Sequence, residues 1–316
     1  MNQQPKQQQF SPDLSVQLGS LQLENPVIAA SGTFGFGREM EEYMDPEQLG
    51  AITVKGITVK PSAGNPTPRM AETPSGILNA IGLENPGLEG FMQEKLEIIR
   101  GLDNPVIVNI SGHSVEDFAV LADRLAPCPE IAALEVNVSC PNIAGGGMVF
   151  GTDQELLYRV VSRVRHYYDG PLIVKLSPNV TNIVEMARSA VEGGGDIISL
   201  INTLLGMSID VDSGEPGLAN TFGGLSGPAI KPVALHMVYQ VAAAIEVPLI
   251  GIGGIMNGRD ALEFIMAGAT AVGVGTATLT DPGATVRIIG EIEDYLVEKK
   301  IYGLEAIRGK ALEKGE

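Results

Sequence analysis

The chain contains no tryptophan, and aromatic residues make up only 5% of its 316 residues. Exposed rings on which nucleic-acid bases could stack are therefore scarce. Basic residues are also few, since 21 Lys and Arg stand against 38 Asp and Glu and give a net charge of −17. This charge argues against a nucleic-acid or anionic-membrane surface. A phosphorylated ligand is not excluded, because backbone amides at helix N-termini bind phosphate whatever the overall charge.

Cysteine is rare as well, and Cys128 and Cys140 are the only two in the chain. Two cysteines are too few for a disulfide framework at this length, so we expect a reducing compartment, the cytoplasm. The sequence has no apolar run that reaches the roughly 18 residues needed to span a bilayer. Its glutamine-rich start has no apolar signal-peptide core. We therefore expect a flexible polar tail over residues 1–12 and a single domain over residues 13–316.

The chain is rich in glycine and repeats one pattern: a short apolar run, a glycine-rich or polar loop, and a helical stretch. Apolar strands that alternate with helices indicate a parallel sheet covered on both faces. Eight such runs match the strand number of a (β/α)8 barrel, the TIM-barrel fold. The predicted strands are Pro26–Ser31, Ala51–Thr58, Pro105–Ser111, Leu134–Ser139, Pro171–Ser177, Asp196–Thr203, Val247–Gly253 and Ala271–Thr276.

A doubly wound open sheet is the alternative architecture. It is disfavoured because no G-x-G-x-x-G motif follows the first run, and the glycines within residues 32–37 have the wrong spacing for a dinucleotide turn. Ahead of the barrel, Leu14–Leu23 alternates around Gly19 and Ser20, which predicts a short β-hairpin.

The sequence also indicates two helix starts and two long connections between the strands. Ser114 and Asn257 each precede a helical stretch as N-cap residues do. Residues 61–94 and 206–227 are longer than barrel closure needs. Long connections of this kind are commonly functional, so we expect active-site loops there.

The cysteine at position 140 lies in a conspicuous place. A buried-strand pattern over residues 134–138 breaks into Ser139-Cys140-Pro141-Asn142, and the helical stretch Asp153–Tyr168 follows. The loop after a parallel strand is where ligands collect, so a reactive thiol would be useful there. The alternative is a small buried hydrophobe, because reactivity depends on surroundings that the sequence does not show.

Polar residues and glycines mark the carboxyl ends of all eight predicted strands, which surround one mouth in a barrel. Lys55 and Lys175 lie inside otherwise apolar strands, so each is expected to face an anion or an electron-rich ring. The pairs Gly253-Gly254 and Gly275-Thr276, with Gly223–Gly227 as a further wall, fit a barrel phosphate site. The remaining strand-end residues are Ser31, Gly56, Asn109, Asn137, Asn202 and Thr203.

No metal site is expected, because His113, His166 and His236 are scattered without ligand spacing. We interpret them as surface or packing residues and Cys128, between two prolines, as structural. A thiol among carboxamides and two lysines, beside a phosphate-anchored ligand, suits proton abstraction next to a redox cofactor. A lysine near the pyrimidine end of a flavin would stabilise the anion that hydride transfer forms.

Taken together, these motifs resemble the dihydroorotate dehydrogenase family. The resemblance rests on Asn79–Leu83 (NAIGL), Asn137–Asn142 (NVSCPN), Ile201–Thr203 (INT) and the two late glycine pairs, which follow one another in this order along the chain. It covers the chain from about Leu14 onward. The glycine-rich continuation over residues 145–153 resembles class 1B, the catalytic subunit of the NAD-linked enzyme.

This resemblance implies FMN-dependent oxidation of (S)-dihydroorotate to orotate in pyrimidine biosynthesis. Cys140 would take the C5 proton as general base while the C6 hydride passes to the flavin. The implied substrate-binding residues are Lys55, Asn79, Ala80, Ile81, Gly82, Leu83, Asn137, Asn202 and Thr203. The implied FMN-binding residues are Ser31, Lys55, Gly56, Asn109, Asn137, Lys175, Ile201, Gly227, Gly253, Gly254, Gly275 and Thr276.

The class 1B resemblance also implies a partner subunit that carries FAD and a 2Fe–2S cluster and passes electrons to NAD+. The implied assembly is a heterotetramer of two catalytic and two electron-transfer chains. Two cysteines cannot hold a four-cysteine cluster, so the cluster would lie on the partner. Class 2 members use serine as the base and have a membrane-associating extension, and Cys140 with the polar tail disfavours that class.

Three other interpretations remain open. The related dihydropyrimidine dehydrogenase has the same barrel and FMN site, but its cysteine loop reads Ser-Cys-Pro-His. A barrel isomerase or aldolase could bind a sugar phosphate through the same glycine pairs and would be colourless. A non-catalytic metabolite-binding barrel would not depend on Cys140.

Overall fold

The computed structural model of the chain describes residues 10–139 and 150–314. Its strands are β1 (Val16–Leu18), β2 (Leu21–Leu23), β3 (Val27–Ala29), β4 (Ala51–Ile57), β5 (Met70–Thr73), β6 (Gly76–Asn79), β7 (Val106–Ile110), β8 (Ala133–Asn137), β9 (Leu172–Lys175), β10 (Ile197–Leu200), β11 (Leu204–Gly206), β12 (Gly223–Ser226), β13 (Leu249–Ile252) and β14 (Ala271–Val274). Eight of them form a closed parallel barrel in which spatial order follows chain order: β3, β4, β7, β8, β9, β10, β13 and β14. Seven predicted runs contain a barrel strand, and the eighth, Leu134–Ser139, overlaps β8, which begins one residue earlier at Ala133. The predicted (β/α)8 barrel is therefore confirmed, and the open sheet is not formed.

The barrel wall is buried on both faces, which explains why its strands read as nearly continuous apolar runs. All residues of β7, β9, β10 and β14 are buried. Glu135 and Lys175 bring charged groups into buried strand positions, with exposed fractions of 3% and 6%. Because an isolated buried charge is costly, these two side chains need partners.

Helices pack around the barrel and connect successive strands. A π-helical turn, Phe91–Lys95, joins α1 to α2. The helices are α1 (Gly87–Gly90), α2 (Leu96–Arg100), α3 (Val115–Leu125), α4 (Gln154–Tyr167), α5 (Ile183–Glu192), α6 (Lys231–Ala242), α7 (Gly258–Met266), α8 (Thr276–Thr280) and α9 (Ala284–Lys299). Among the described residues, no helix has the length and apolar composition needed to cross a bilayer.

The helix starts predicted from the sequence are confirmed by their caps. Ser114 Oγ accepts a hydrogen bond from the backbone N–H of Asp117 at 3.2 Å, ahead of α3. Asn257 Oδ1 accepts one from the N–H of Asp260 at 2.9 Å, ahead of α7. Asp153 caps α4 in the same way. Each cap satisfies a first-turn amide that has no partner within the helix.

The predicted N-terminal hairpin is present as β1 and β2, an antiparallel pair. Gly19 takes a left-handed conformation with φ of 63° at the turn between them. Leu18 and Leu23 are fully buried. Gly19 lies beside Ile197, the first residue of β10, so the hairpin packs at the N-terminal end of the barrel.

The two long connections are more ordered than the sequence analysis predicted. They contribute β5, β6 and β12 to a second, antiparallel sheet in the order β11-β12-β6-β5, in which β11 comes directly before the second connection. Strand β6, from the first connection, pairs with β12, from the second, with Asn79 opposite Gly224 and Ile77 opposite Ser226. The loops that were expected only to border the mouth are therefore joined to each other by a β-ladder.

Candidate active site

The carboxyl ends of the barrel strands and the small sheet surround a cavity of about 840 Å³. This volume lies in the range of roughly 300–1,000 Å³ that is usual for small-molecule sites. Cys140, the predicted base, lies outside the described residues. The other predicted site residues all line the cavity: Ser31, Lys55, Gly56, Asn79, Ala80, Ile81, Gly82, Leu83, Asn109, Asn137, Lys175, Ile201, Asn202, Thr203, Gly227, Gly253, Gly254, Gly275 and Thr276.

A buried polar cluster lies at the strand ends of the cavity wall and has Glu135 at its centre. Asn109 Nδ2 donates to Glu135 Oε1 at 2.6 Å, and Ser199 Oγ donates to Glu135 Oε2 at 2.9 Å. The Lys175 ammonium lies 3.8 Å from Glu135 Oε1. Lys175 thus faces an anion, as expected, and that anion is a carboxylate of the protein itself.

The side-chain oxygen of Asn109 is the unsatisfied atom of this cluster. Asn109 Oδ1 is buried and has no hydrogen-bond partner among the described residues. It lies against Gly56, where an added Cβ would approach it to 2.5 Å. Both residues line the cavity. Because a buried acceptor is costly to leave unpaired, a ligand donor at this wall would complete the cluster.

Lys55, on β4, is the second lysine of the cavity, and its environment differs from that of Lys175. Burial lowers the pKa of Lys55, and this effect outweighs the opposing influence of the Glu84 carboxylate. In the described part of the chain, no carboxylate lies within ion-pair distance of its ammonium; Glu84 is paired instead with Arg69 at 2.7 Å. Lys55 is therefore available to an anionic group in the cavity.

A glycine cradle forms the opposite side of the cavity. Gly227, Gly253 and Gly254 have φ values of 97°, 136° and 72°, which side chains rarely adopt. A Cβ at Gly254 would come within 2.8 Å of the carbonyl oxygen of Gly227. Next to them, α8 begins at Thr276, whose Oγ1 donates to Ser226 Oγ at 2.9 Å. Exposed backbone and hydroxyl groups of this kind suit a phosphoryl group.

The loop over residues 79–83 is held by asparagines outside it. Asn65 Nδ2 donates to the carbonyl oxygen of Ala80 at 2.9 Å. The buried Asn85 donates from Nδ2 to the carbonyl oxygen of Leu83 at 2.6 Å. Leu83 itself has a positive φ of 54°, a conformation that non-glycine residues adopt only when their surroundings impose it. The loop is consequently fixed in shape along the cavity.

The segment after β10 is fixed by a neighbouring loop. Asn179 Nδ2 donates to the carbonyl oxygen of Thr203 at 3.1 Å, and Asn179 Oδ1 accepts from the N–H of Leu205 at 2.9 Å. The N–H of Thr203 donates to Asn202 Oδ1. Asn202 and Thr203 therefore present defined polar groups to the cavity.

Several residues that line the cavity or contact its lining were not identified from the sequence. Glu135 could have been found, since a carboxylate inside an otherwise apolar strand is unusual. Ser226, by contrast, lies in the Gly223–Gly227 run that was predicted as a wall of the phosphate site, and it lines the cavity. The apolar rim of Met70, Leu205 and Phe222, with exposed fractions of 48%, 59% and 52%, comes from the small sheet and depends on its pairing.

The residues interpreted as non-functional lie away from the cavity. His113, His166 and His236 are exposed on the surface. Cys128 is buried, and burial raises the pKa of its thiol, which disfavours the reactive thiolate. Among the described residues, no group of His, Cys, Asp and Glu is arranged to hold a metal ion.

The cavity fits an FMN molecule on three observations. The glycine cradle, together with the neighbouring pair Gly275-Thr276, leaves backbone exposed for a phosphoryl group. Asn109 Oδ1 offers a ring N–H a buried acceptor that has no partner in the described part of the chain. Lys175, beside it, supplies a cation suited to the electron-rich pyrimidine side of a flavin.

A closed parallel barrel whose strand ends meet around one polar cavity defines a (β/α)8-barrel protein with an enzyme-type site. The sequence profile described as dihydroorotate dehydrogenase matches residues 13–296. The chain belongs to the dihydroorotate dehydrogenase family and is an oxidoreductase, which confirms the resemblance inferred from its motifs.

Curated relatives and a solved structure agree with this assignment. The chain is 57% identical over 298 residues to a protein of Geotalea uraniireducens (strain Rf4) named dihydroorotate dehydrogenase B (NAD(+)), catalytic subunit, covering 94% of this chain and 98% of that protein. It is 56% identical, with the same coverage, to a protein of the same name from Geobacter sulfurreducens. The crystal structure of DHODH with ferulenol from Eimeria tenella matches with a TM-score of 0.80 at 23% identity, covering 96% of this chain and 90% of that one, and supports the fold.

Proposed function

We propose that the chain is the catalytic subunit of an NAD+-linked dihydroorotate dehydrogenase, which oxidises (S)-dihydroorotate to orotate in de novo pyrimidine biosynthesis. One observation carries this proposal: polar groups from all eight barrel strands or the loops that follow them meet the Asn79–Leu83 loop in a single cavity. The names of the bacterial relatives support the choice of substrate and acceptor. Residues 13–316 would act as one FMN-binding unit.

The chain's own residues would bind FMN along the barrel mouth. When bound, FMN supplies the acceptor for the substrate hydride. The glycine cradle would hold its phosphoryl group through backbone N–H groups, and Lys175 would lie toward its pyrimidine side. The proposed FMN-binding residues are Ser31, Lys55, Gly56, Asn109, Asn137, Lys175, Ile201, Gly227, Gly253, Gly254, Gly275 and Thr276.

The substrate would lie between the small sheet and the barrel. Lys55 would pair with the carboxylate of dihydroorotate, because its ammonium is partly desolvated and has no carboxylate partner among the described residues. The fixed loop after β6 and the segment after β10 would hydrogen-bond the ring. The proposed substrate-binding residues are Lys55, Asn79, Ala80, Ile81, Gly82, Leu83, Asn137, Asn202 and Thr203.

Cys140 would act as the general base, an assignment that rests on the sequence motif. Its thiolate would take the proton from C5 and become a thiol, while the hydride leaves C6 and a double bond forms between C5 and C6. A thiolate can serve near neutral pH when cations lower its pKa. Lys55 and Lys175, which line the cavity, would supply such cations.

Electrons would leave the chain through a partner. Two cysteines are too few for a four-cysteine iron–sulfur cluster within it, so the proposed partner carries the 2Fe–2S cluster and FAD and reduces NAD+. We propose a heterotetramer of two catalytic and two electron-transfer chains in the cytoplasm. The words "catalytic subunit" in the relatives' names support the existence of a partner.

Anaerobic addition of dihydroorotate to the purified, flavin-loaded chain tests the substrate. The visible flavin absorbance should bleach with dihydroorotate and stay unchanged with dihydrouracil. Bleaching by dihydrouracil alone would instead assign a dihydropyrimidine dehydrogenase. A colourless chain that takes up no FMN would reject the flavin site and favour a sugar-phosphate enzyme.

Co-purification from the native host tests the partner. A yellow complex that contains an iron–sulfur flavoprotein and reduces NAD+ with dihydroorotate is the expected result. Activity with fumarate and no NAD+ reduction would assign the chain to class 1A.

A further inference from the structure

Glu135 is a buried charge that contacts two residues of the cavity lining, Asn109 and Lys175, and neither the proposed FMN contacts nor the proposed substrate contacts include it. Its carboxylate receives hydrogen bonds from Asn109 Nδ2 at 2.6 Å and Ser199 Oγ at 2.9 Å. Lys175 Nζ lies 3.8 Å away. All four side chains are nearly inaccessible, with residue exposures between 0% and 6%.

The strand register explains why these side chains meet. Asn109 on β7 is paired with Glu135 on β8, and Lys175 on β9 is paired with Ser199 on β10. Four neighbouring strands therefore each contribute one polar side chain to the same part of the wall. A polar cluster in this dry environment is favourable only if its members satisfy one another, so the loss of one member disturbs the rest.

The carboxylate sets the orientation of the Asn109 amide. A carboxylate only accepts hydrogen bonds, so the amide must turn its Nδ2 toward Glu135. Its Oδ1 then lies at the Gly56 wall without a partner among the described residues. A glutamine at position 135 could donate as well as accept, and the Asn109 amide could then present a donor to the cavity instead of an acceptor.

The same carboxylate balances the charge of Lys175. With Glu135 ionised, the pair is neutral as seen from the cavity; without it, the ammonium adds an uncompensated positive charge. A positive charge beside a flavin stabilises the reduced, anionic form more than the oxidised form. Glu135 would thereby affect the midpoint potential of the flavin.

We propose that Glu135 is a positioning residue for the flavin: it fixes Asn109 as an acceptor and holds Lys175 as a compensated cation. This inference rests on the proposed FMN-binding function. It assigns Glu135 no contact with substrate or flavin, and its influence passes through Asn109 and Lys175. Ser199, through its hydrogen bond to Oε2, holds the carboxylate in place.

The test compares flavin binding and flavin potential in wild type and Glu135→Gln, which keeps the side-chain shape. The dissociation constant of oxidised FMN, measured by fluorescence quenching on the apoprotein, should rise about tenfold, the loss expected for one buried hydrogen bond. The flavin midpoint potential should become more positive, because the cation at Lys175 remains while its counter-charge is gone. A purely structural role would leave the potential unchanged.

Ser199→Ala is the second variant, and it decides the matter if Glu135→Gln yields no folded protein. It removes one hydrogen bond to the carboxylate and should move both measurements in the same direction by a smaller amount. Ser189→Ala is the matched control, since Ser189 is also buried and donates to the carbonyl oxygen of Gln154 at 2.6 Å, away from the cavity. It should leave both flavin measurements unchanged.

The outcomes separate this inference from the proposed function. The role of Glu135 would be overturned if the folded Glu135→Gln variant had the FMN affinity and flavin potential of the wild type. If only Ser199→Ala folds, the same result in that variant would overturn it. The proposed function would stand in either case. A wild-type chain that binds FMN but is not reduced by dihydroorotate would overturn the proposed substrate, while the shifts in the variants would still support the role of Glu135. A wild-type chain that binds no FMN would overturn both.

Discussion

Asn79 lies opposite Gly224 in the antiparallel pair of β6 and β12, and its Nδ2 donates to the carbonyl oxygen of Gly224 at 3.3 Å. The two residues are 145 positions apart in the chain. Gly224 also lies against Thr203, whose Oγ1 would be only 2.1 Å from an added Cβ. Gly224 thus contacts both Asn79 and Thr203, and these three residues belong to segments that we propose surround the substrate. The geometry of the cavity therefore depends on the close approach of these segments at Gly224.

Gly224→Ala should weaken substrate binding without removing the flavin. The new methyl group cannot fit beside Thr203 unless that side chain moves. Overpacking of this kind costs about 1–3 kcal/mol, which corresponds to roughly a tenfold or greater rise in the dissociation constant of orotate. Titration of the flavin spectrum with orotate measures this dissociation constant.

Gly290→Ala is the control for this substitution. Gly290 lies on α9 with no atom close to an added Cβ, so the variant should bind orotate normally and gain up to about 1 kcal/mol in unfolding free energy. Equal orotate affinity in Gly224→Ala and wild type would contradict the proposed role of this contact.

Lys55→Met should stabilise the apoprotein while abolishing tight orotate binding. Burial lowers the pKa of Lys55, so the charged form disfavours the fold. The unfolded chain holds its proton up to about pH 10.5, and the native state therefore gains stability as pH rises from the lowered pKa to that value. The stability advantage of the methionine variant should be largest below the lowered pKa, decline as pH rises from that pKa to about 10.5, and be smallest above pH 10.5.

Urea unfolding of both apoproteins across this pH range measures the difference. Lys60→Met, a change at a lysine outside the cavity lining, serves as control and should leave orotate binding at the wild-type level. A constant difference between Lys55→Met and wild type at every pH would contradict the desolvation of Lys55.

Asp260→Asn should destabilise the wall that contains the glycine cradle. Asp260 accepts from Lys231 Nζ at 2.7 Å and from the N–H of Met256 at 2.9 Å, and it raises the pKa of Lys231. A raised lysine pKa contributes stability below about pH 10.5 that is lost as pH rises through the folded-state pKa, so the pair is fully formed at neutral pH. We expect a loss of about 2 kcal/mol and weaker FMN binding.

Glu263→Gln is the matched control, because Glu263 contacts the same lysine at 3.0 Å but its side chain is 46% exposed. An exposed ion pair contributes little, so thermal unfolding should change by no more than about 0.5 kcal/mol. Equal losses of unfolding free energy in Asp260→Asn and Glu263→Gln would contradict the conclusion that the buried Lys231–Asp260 contact contributes more stability than the exposed Lys231–Glu263 contact.

Cys140→Ser should reduce dihydroorotate turnover and leave FMN content unchanged. The loss of a general base costs about 10²–10⁴-fold in rate. Cys128→Ala, at the buried thiol away from the cavity, should retain turnover. Undiminished activity in Cys140→Ser, measured by stopped-flow flavin reduction, would rule out this cysteine as the base.

The barrel could be predicted because its signal is local. Each parallel strand is buried on both faces and reads as a separate apolar run, and helix caps such as Ser114 and Asn257 act within a few residues. Strand-end residues could be placed together for the same reason, since a parallel barrel brings every carboxyl end to one mouth.

The small sheet and the Glu135 cluster could not be predicted in this way. Pairing of β6 with β12 joins segments almost half the chain apart, and short strands at a mouth have no buried-face pattern. Glu135 meets Lys175 and Asn109 only through the register of neighbouring strands, which the sequence does not specify. A carboxylate inside an apolar run marks Glu135 as unusual, but the sequence does not show which residues it contacts.

A crystal structure of the chain with FMN and orotate is the most direct test of the central claim. The phosphoryl group should lie against the backbone of Gly253-Gly254 and Gly275-Thr276, with the flavin ring beside Lys175 and the Cys140 thiol facing C5 of the orotate. A phosphoryl group bound elsewhere, or Cys140 packed among hydrocarbon side chains, would contradict the account.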